Sequence, residues 1–463
     1  PAKREGMTAD KKQLSIVLCA TTLSAFITPF MGSSVNVALP VMAQDLSMTA
    51  LTLSWVPSSF LLAAAITLVP LGRLADICGR KKFFFWGAII FTLASLLCSW
   101  SPTATFLILA RIIQGIGGAM IFSTGTAILV AAFPVRERGG ILGINIAAVY
   151  VGLTIGPFIG GLLTEQLGWR CIFLFTALFG FMMLLLILFM AKEEWQPANG
   201  EHFDFTGSLL YAIALFAVMY GFSLLPALQA GGLILFGIVC LFFFVRHQLR
   251  VPYPLLNIHL FRDNRVFAFS NLAALINYCA TFAVTFLLSL YLQHIQALTP
   301  LQAGMILIAE PAVQASFSPL AGRLSDRFEP GIIASIGMAL NVAGLIPLMF
   351  INFATSISYI VFCLIVLGLG FALFSSPNVN AAMSAVENKY YGIASATLAT
   401  MRMIGQMFSM GITMLVFAVF LGDRPLDQAG GLLLQSIQLI FFILGILCCA
   451  GIFASLARGK IHK

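Results

Sequence analysis

Apolar residues run along this chain in stretches of about 20, the length that crosses a bilayer core of ~30 Å as a helix. Short polar segments separate them. The runs lie near 14–40, 51–71, 83–100, 104–132, 140–163, 171–191, 205–225, 230–246, 266–292, 301–321, 331–352, 356–379, 392–420 and 434–457. They predict fourteen membrane-spanning helices. The polar start "PAKREGMTADKK" has no small-residue cleavage pattern, so no cleavable leader is expected. Pro1 is not an initiator, which makes Met7 the expected start and residues 1–6 foreign to the protein.

The polar intervals contain a repeat. "PLGRLADICGRKK" at 70–82 returns as "PLAGRLSDRFEP" at 319–330, and Gly322 follows Gly72 by 250 residues. Each copy comes after an even-numbered span, so two homologous halves in the same orientation are expected, with a substrate site at their interface near the midplane. The resulting organisation is a cytoplasmic N-terminus (1–12), a six-helix half (13–191), a linker carrying two extra helices (192–265), a second six-helix half (266–457) and a cytoplasmic C-terminus (458–463).

Composition sets the class. Sixty per cent of the 463 residues are hydrophobic, 9% are charged, and mean hydropathy is +1.00. That is too little charge to cover a soluble surface. The net charge of +8 could suggest nucleic acid, but its distribution points elsewhere. With the N-terminus inside, 21 of the 25 basic residues fall on the inner side. Only Arg170 and Arg424 fall outside, and Arg111 and Arg402 lie within spans. This positive-inside excess puts both termini in the cytoplasm and implies no nucleic-acid partner. The nine cysteines and five histidines are scattered without metal-ligand spacing, so no metal is expected.

The loop "GRLADICGRKK" resembles the signature loop between spans 2 and 3 of the major facilitator superfamily. The resemblance implies a cytoplasmic charge latch that holds the outward-facing state, formed by Gly72, Asp76, Arg80 and Lys81, with Asp326 in the second copy. "LARIIQGIGGAM" (109–120) resembles the family's span-4 motif and implies that Arg111 sits beside the proton path. "VGLTIGPFIGGLL" (151–163) resembles the span-5 motif of the antiporters, through Gly152, Gly156, Pro157, Gly160 and Gly161. In physical terms, Gly152, Gly156 and Gly160 line one helix face that admits a close neighbour, and Pro157 permits a bend. "SSVNVALP" (33–40), "WVPSSFLL" (55–62) and "YYGIASATLATMRMIGQ" (390–406) extend the resemblance to the 14-span drug:proton antiporters. One position departs from that family. Its first span often carries an aspartate five residues before the asparagine that is Asn36 here, and this chain has Met31. A proton-carrying or cation-binding role for that aspartate in relatives has no counterpart at Met31, which puts cationic drugs in question as substrates.

Of 17 carboxylates, Glu310 alone lies well inside a span. It precedes Arg323 by 13 residues, which places it roughly 20 Å from the inner face. Ionised against lipid it would cost several kcal/mol, so it faces a central cavity or carries a proton. Pro311 and Pro319 predict a bent helix around it. The expected cavity lining is Asn36, Gln114, Asn145, Asn277, Tyr278, Gln314, Asn378, Arg402 and Gln406, among 42 Phe and 18 Met.

The expected protein is an all-α integral membrane carrier of the major facilitator fold, not an enzyme. It would be a monomer in the cytoplasmic membrane and would export lipophilic or amphipathic small molecules in exchange for protons, with Glu310 and Arg111 as the coupling residues. No nucleotide-binding loop of the GxxxxGK[ST] type is present, and no cofactor is expected beyond the coupling proton. Two alternatives stand beside this reading. One is a proton-coupled or facilitated carrier of an organic anion; the other is a transporter-like lipid flippase or non-transporting sensor.

Overall fold

A computed structural model describes residues 2–133, 138–190, 194–198, 200–386, 391–422, 424 and 430–459. Arg136, Lys192 and Lys389, which enter the charge count, lie outside the described residues, as do residues 460–463. The described residues form helices α1 (Ala2–Asp45), α2 (Ala50–Cys78), α3 (Arg80–Ser99), α4 (Ala104–Ala132), α5 (Arg138–Leu167) and α6 (Arg170–Leu188). Two further helices, α7 (Phe205–Leu224) and α8 (Leu228–Gln248), precede the short α9 (Ile258–Asp263). Then follow α10 (Arg265–Thr281), α11 (Ala283–Leu290) with a π-helical turn at Tyr291–Ile295, α12 (Pro300–Leu307), α13 (Ala309–Arg327), α14 (Pro330–Leu348), α15 (Ile357–Ser384), α16 (Tyr391–Phe420) and α17 (Gly430–Leu456).

Among the described residues, thirteen helical segments are long and apolar enough to cross a membrane. The expected span at 301–321 is not one of them: Glu310, Gln314 and the charged end of α13 make it too polar, and it divides at Ile308 into α12 and α13. The cause is Pro311, which has no N–H to give the Leu307 carbonyl. Helical bonding continues on both sides, from Ile308 N to Gly304 O (3.2 Å) and from Ala312 N to Ile308 O (3.0 Å). The expected span at 266–292 is also interrupted, at Phe282. There the Ala283 N–H donates to the Ser409 hydroxyl of α16 (3.0 Å).

The principal helix pairings repeat between the halves. In the first, α1 packs on α5, and α2 and α3 pack on α4. In the second, α10 packs on α16, and α13 and α14 pack on α15. The repeat holds at single positions: Gly72 packs against Ser123 as Gly322 packs against Ser376. Gly115 abuts the Phe60 carbonyl as Gly368 abuts the Glu310 carbonyl. Successive crossings alternate in direction. They set the termini and the α2–α3 and α13–α14 loops at one end of the bundle, the terminal face, and the α1–α2 and α5–α6 loops at the far face.

The α7–α8 pair is tied to both halves. Tyr211 on α7 donates to the Ala65 carbonyl of α2 (3.1 Å), while Phe222 near its far end packs on Phe408 and Gly411 of α16. The segment leading into α7 straps the α2–α3 loop. Glu194 accepts from the Lys81 amide (2.7 Å), Arg80 N donates to Trp195 O (3.1 Å), and Arg73 pairs with Glu201. Asp204, 8% exposed, caps α7 through Gly207 N (2.8 Å) and accepts from His247 Nε2 (2.9 Å) and Gln248 Nε2 (2.7 Å) of α8.

Burial opposes ionisation of Asp204, but the bonds from Gly207, His247 and Gln248 prevail and hold its carboxyl below the usual carboxylate range. Asp204→Ala should cost about 1–2 kcal/mol of stability through the lost cap alone. The carboxylate is the favoured form, so this contribution is full above the ordinary carboxylate pKa and lost as pH falls through the lower folded value. Thermal melts of both proteins across acidic pH check this. The difference should shrink on acidification; a constant difference counts against it.

Candidate functional site between the halves

Arg111 comes from the first half of α4 and is 2% exposed. Its Nε donates to the Val56 carbonyl (3.1 Å), and its Nη1 to Gln114 Oε1 (2.6 Å) and Met31 Sδ (2.7 Å). Gln114 is fixed in turn by donating to Ser95 Oγ (2.7 Å), with the Cys98 thiol 3.9 Å from its oxygen. The guanidinium lies over the Phe60 ring at 4.5 Å and within 6.0 Å of the Phe173 centroid. Every one of these partners is neutral. Met31 occupies the contact position that an acidic residue would need to offset the charge.

The second half has the same backbone packing and different chemistry. Carrying the Gly72/Gly322 and Ser123/Ser376 correspondences along their helices, Leu364 stands where Arg111 does and Leu367 where Gln114 does. Leu345 and Leu348 take the places of Ser95 and Cys98, and all four leucines are buried at 0–1%. Glu310 takes the place of Phe60, beside the helix break. Its residue is half-buried, and among the described residues its carboxyl group makes no ion pair. Gln314 and Ser318 follow it at one-turn intervals along α13, and the Ser318 hydroxyl donates to Gln314 O (2.7 Å).

Helix α5 joins the halves through two sets of positions. A methyl group at Gly152 or Gly160 would overlap α1, at the Phe26 carbonyl or at Ser34, and one at Gly156 would overlap Ser33. Ser34 Oγ donates to the Gly156 carbonyl (2.8 Å). The neighbouring positions turn to the other half: the Pro157 carbonyl meets Gly304 and Gly161 meets Pro300 of α12. Leu301 N donates to Glu165 (3.1 Å) and Gln293 Nε2 to the Val37 carbonyl (2.8 Å). The halves therefore meet tightly towards the far face. About two turns from Pro157 towards the terminal face, the Tyr150 phenol of α5 is directed at the Ser318 and Ser375 hydroxyls, within electrostatic reach of Tyr278 and Arg402.

The remaining candidates separate into two groups. Arg402 stacks on Tyr278 with 5.0 Å to the ring centroid, and both are half-buried; Gln406 is half-buried one turn on, and Gln314 is buried. Gln114, Asn145, Asn277 and Asn378 are buried and bonded within one half. Asn145 donates to Thr21 O (3.1 Å), Asn341 to Asn277 Oδ1 (2.9 Å), and Asn378 to Ser270 O (3.1 Å). Asn36 is buried at 7%. In the loop signature, Arg80 Nε donates to Asp76 Oδ1 (2.7 Å) and its Nη1 to the Ala127 carbonyl (3.2 Å). Asn380 donates to Asp326 (3.3 Å) in the second copy. Lys81 turns away from Asp76, its Nζ donating to Met190 O (3.1 Å). Tyr150, Ser318 and Ser375 are not among the residues the sequence singles out; a tyrosine immediately before the span-5 motif is the available signal for the first.

The Major Facilitator Superfamily model matches residues 21–410 and 270–460, and the chain belongs to that family. It is 31% identical to the riboflavin transporter RibZ of Clostridioides difficile (strain 630), over 84% of this chain and 85% of that protein. It is also 31% identical to the multidrug resistance protein Stp of Mycobacterium tuberculosis, over 88% and 76%, and 30% identical to the methylenomycin A resistance protein of Streptomyces coelicolor, over 81% and 79%. Its fold is similar to that of a bacterial homologue of the human lysosomal transporter Spinster, in an inward-facing and unoccupied conformation. The TM-score is 0.68 and the identity 16%, covering 96% of this chain and 97% of that one. The chain is thus a multi-pass membrane transporter of this superfamily.

The leucines of the second half predict how the Arg111 cluster responds to substitution. Gln114→Leu removes an acceptor from a buried cation and should destabilise by about 3 kcal/mol. Adding Arg111→Leu removes the charge and copies the Leu364–Leu367 arrangement, so the double variant should be more stable than Gln114→Leu alone. Thermal melts in detergent check the order; a double variant no more stable than the single one contradicts it.

Proposed function

We propose that this chain is a proton-coupled exporter of lipophilic or amphipathic small molecules in the cytoplasmic membrane, with both termini cytoplasmic. The observation that carries the reading is Glu310. It is the one carboxylate well inside a span, it stands beside a helix break, it has no ion-pair partner among the described residues, and it occupies a position that is phenylalanine in the other half. A carboxyl group without a fixed counter-charge can take up and release a proton as its surroundings change, whereas the arginines keep their charge. The names of the relatives support small-molecule export. Two are drug-resistance proteins, and the riboflavin transporter extends the range to a planar heteroaromatic compound. The α5 glycine and proline positions form a far-face seam of the kind that parts and re-forms in alternating access, and their resemblance to the antiporter motif supports exchange. With the termini inside, the conformation described here is the one closed to the exterior.

Glu310→Gln keeps size and hydrogen bonding and removes titration. In proteoliposomes with an imposed pH gradient and a panel of lipophilic dyes, wild type should concentrate dye against its gradient. The Gln variant should equilibrate dye without concentrating it, and Glu310→Asp should retain part of the coupling. Uphill transport by Glu310→Gln would show that the carboxyl is a packing group.

A further inference from the structure

Arg402 differs from Arg111 in every respect that matters for a ligand. Arg111 is sealed inside one half, with N–H groups directed at Val56, Gln114 and Met31. Arg402 lies mid-helix in α16, is half-buried, and among the described residues makes no ion pair. Its guanidinium is stacked on the Tyr278 ring, which itself meets Phe371 edge-on at 5.3 Å. From the other half, Tyr150 directs its phenol at the Ser318 and Ser375 hydroxyls, within electrostatic reach of the same guanidinium. Side chains from five helices of both halves, aromatic and hydroxyl-bearing, therefore lie around the neighbourhood of one cation. Glu310 forms no ion pair with it among the described residues.

We propose that Arg402, stacked on Tyr278 and facing the half that carries Tyr150, is the recognition point for the negatively charged group of a planar aromatic substrate. The proposal rests on the reading of the chain as a small-molecule carrier and names the charge class of its cargo. A membrane-embedded cation needs a partner that lowers its charging cost. A guanidinium offers paired N–H donors that match a carboxylate or similar oxyanion, and charge-assisted bonds of this kind are the stronger ones. The tyrosine and phenylalanine faces supply the apolar contact that a flat ring system needs. Because Tyr150 belongs to one half and Arg402 to the other, a ligand bound there touches both moving bodies. It would be held when they close on it and exposed when they part.

The test is equilibrium binding of three matched ligands to the full-length protein in nanodiscs, with equal pH on both sides and no gradient: 2-naphthoate, 2-naphthamide and 2-naphthylmethylammonium. Wild type should bind the carboxylate about tenfold or more tighter than the ammonium, with the amide between them. Arg402→Gln should erase the charge preference. Arg402→Lys should keep its sign with weaker affinity, since the ammonium lacks the planar fork. A wild type that binds the ammonium as tightly as the carboxylate, or that fails to bind the carboxylate, overturns the proposal, as does retained anion preference in Arg402→Gln. The wild-type series decides the matter even if a variant fails to fold. Such a result leaves proton coupling through Glu310 intact, because no gradient enters the measurement.

Discussion

Burial of one permanent charge without a carboxylate to offset it is the constraint around which the first half is arranged. The Arg111 guanidinium cannot shed its proton, and hydrocarbon offers it nothing. Its neighbours are therefore chosen for weak negative potential: a peptide carbonyl from Val56, an amide oxygen from Gln114, the Met31 sulfur and the face of Phe60. Ser95 and Cys98 then steady Gln114. The second half has no charge at the equivalent position and fills the space with Leu345, Leu348, Leu364 and Leu367. At these equivalent positions a common helix packing thus has two interiors, one polar around Arg111 and the other filled by leucines, with Glu310 in place of Phe60.

That asymmetry meets at the seam made by α5. Three glycine positions hold α5 to α1, and Pro157 and Gly161 hold it to α12. A helix clamped on two sides by backbone contacts has little freedom to yield, so parting of the halves must break the α12 side while the α1 side persists. The α12 side belongs to the broken crossing that carries Glu310 immediately after the break. On the proposed function, a change of charge at Glu310 would act on the element whose contacts with α5 close the far face. The strap from Glu194 to Glu201 and the α7–α8 pair add a second link, since α7 bonds α2 through Tyr211 and packs on α16 through Phe222.

The fold was legible in the sequence because its signals are one-dimensional: apolar length, the repeated loop and the small residues of span 5. Pro311 also announced a disturbance, although not that the span would become two helices. The interruption at Phe282 was hidden, because the hydroxyl that takes the Ala283 N–H there belongs to Ser409, which is distant in sequence. The embedded amides were the weakest part of the reading. Gln114, Asn145, Asn277 and Asn378 are polar residues in apolar runs, as a cavity lining would be. Yet each is directed at a neighbour within its own half, and helical periodicity alone does not reveal which buried face meets a partner and which meets water. Arg458 illustrates the converse. It counts as one of the C-terminal loop charges, but it is 1% exposed and donates to Asn378 Oδ1 (3.0 Å) and Ser455 O (2.7 Å).

The central claim is that the proton on Glu310 biases the balance between the two arrangements of the halves. Pulsed electron resonance between spin labels at Ile146 on α5 and Leu320 on α13, exposed positions on the terminal-face side of the seam, measures that balance directly. Wild type should show a distance distribution that shifts with pH. Glu310→Gln, an uncharged stand-in for the protonated acid, should hold the acid-side distribution at every pH. A Gln variant that still shifts with pH as wild type does would contradict the account.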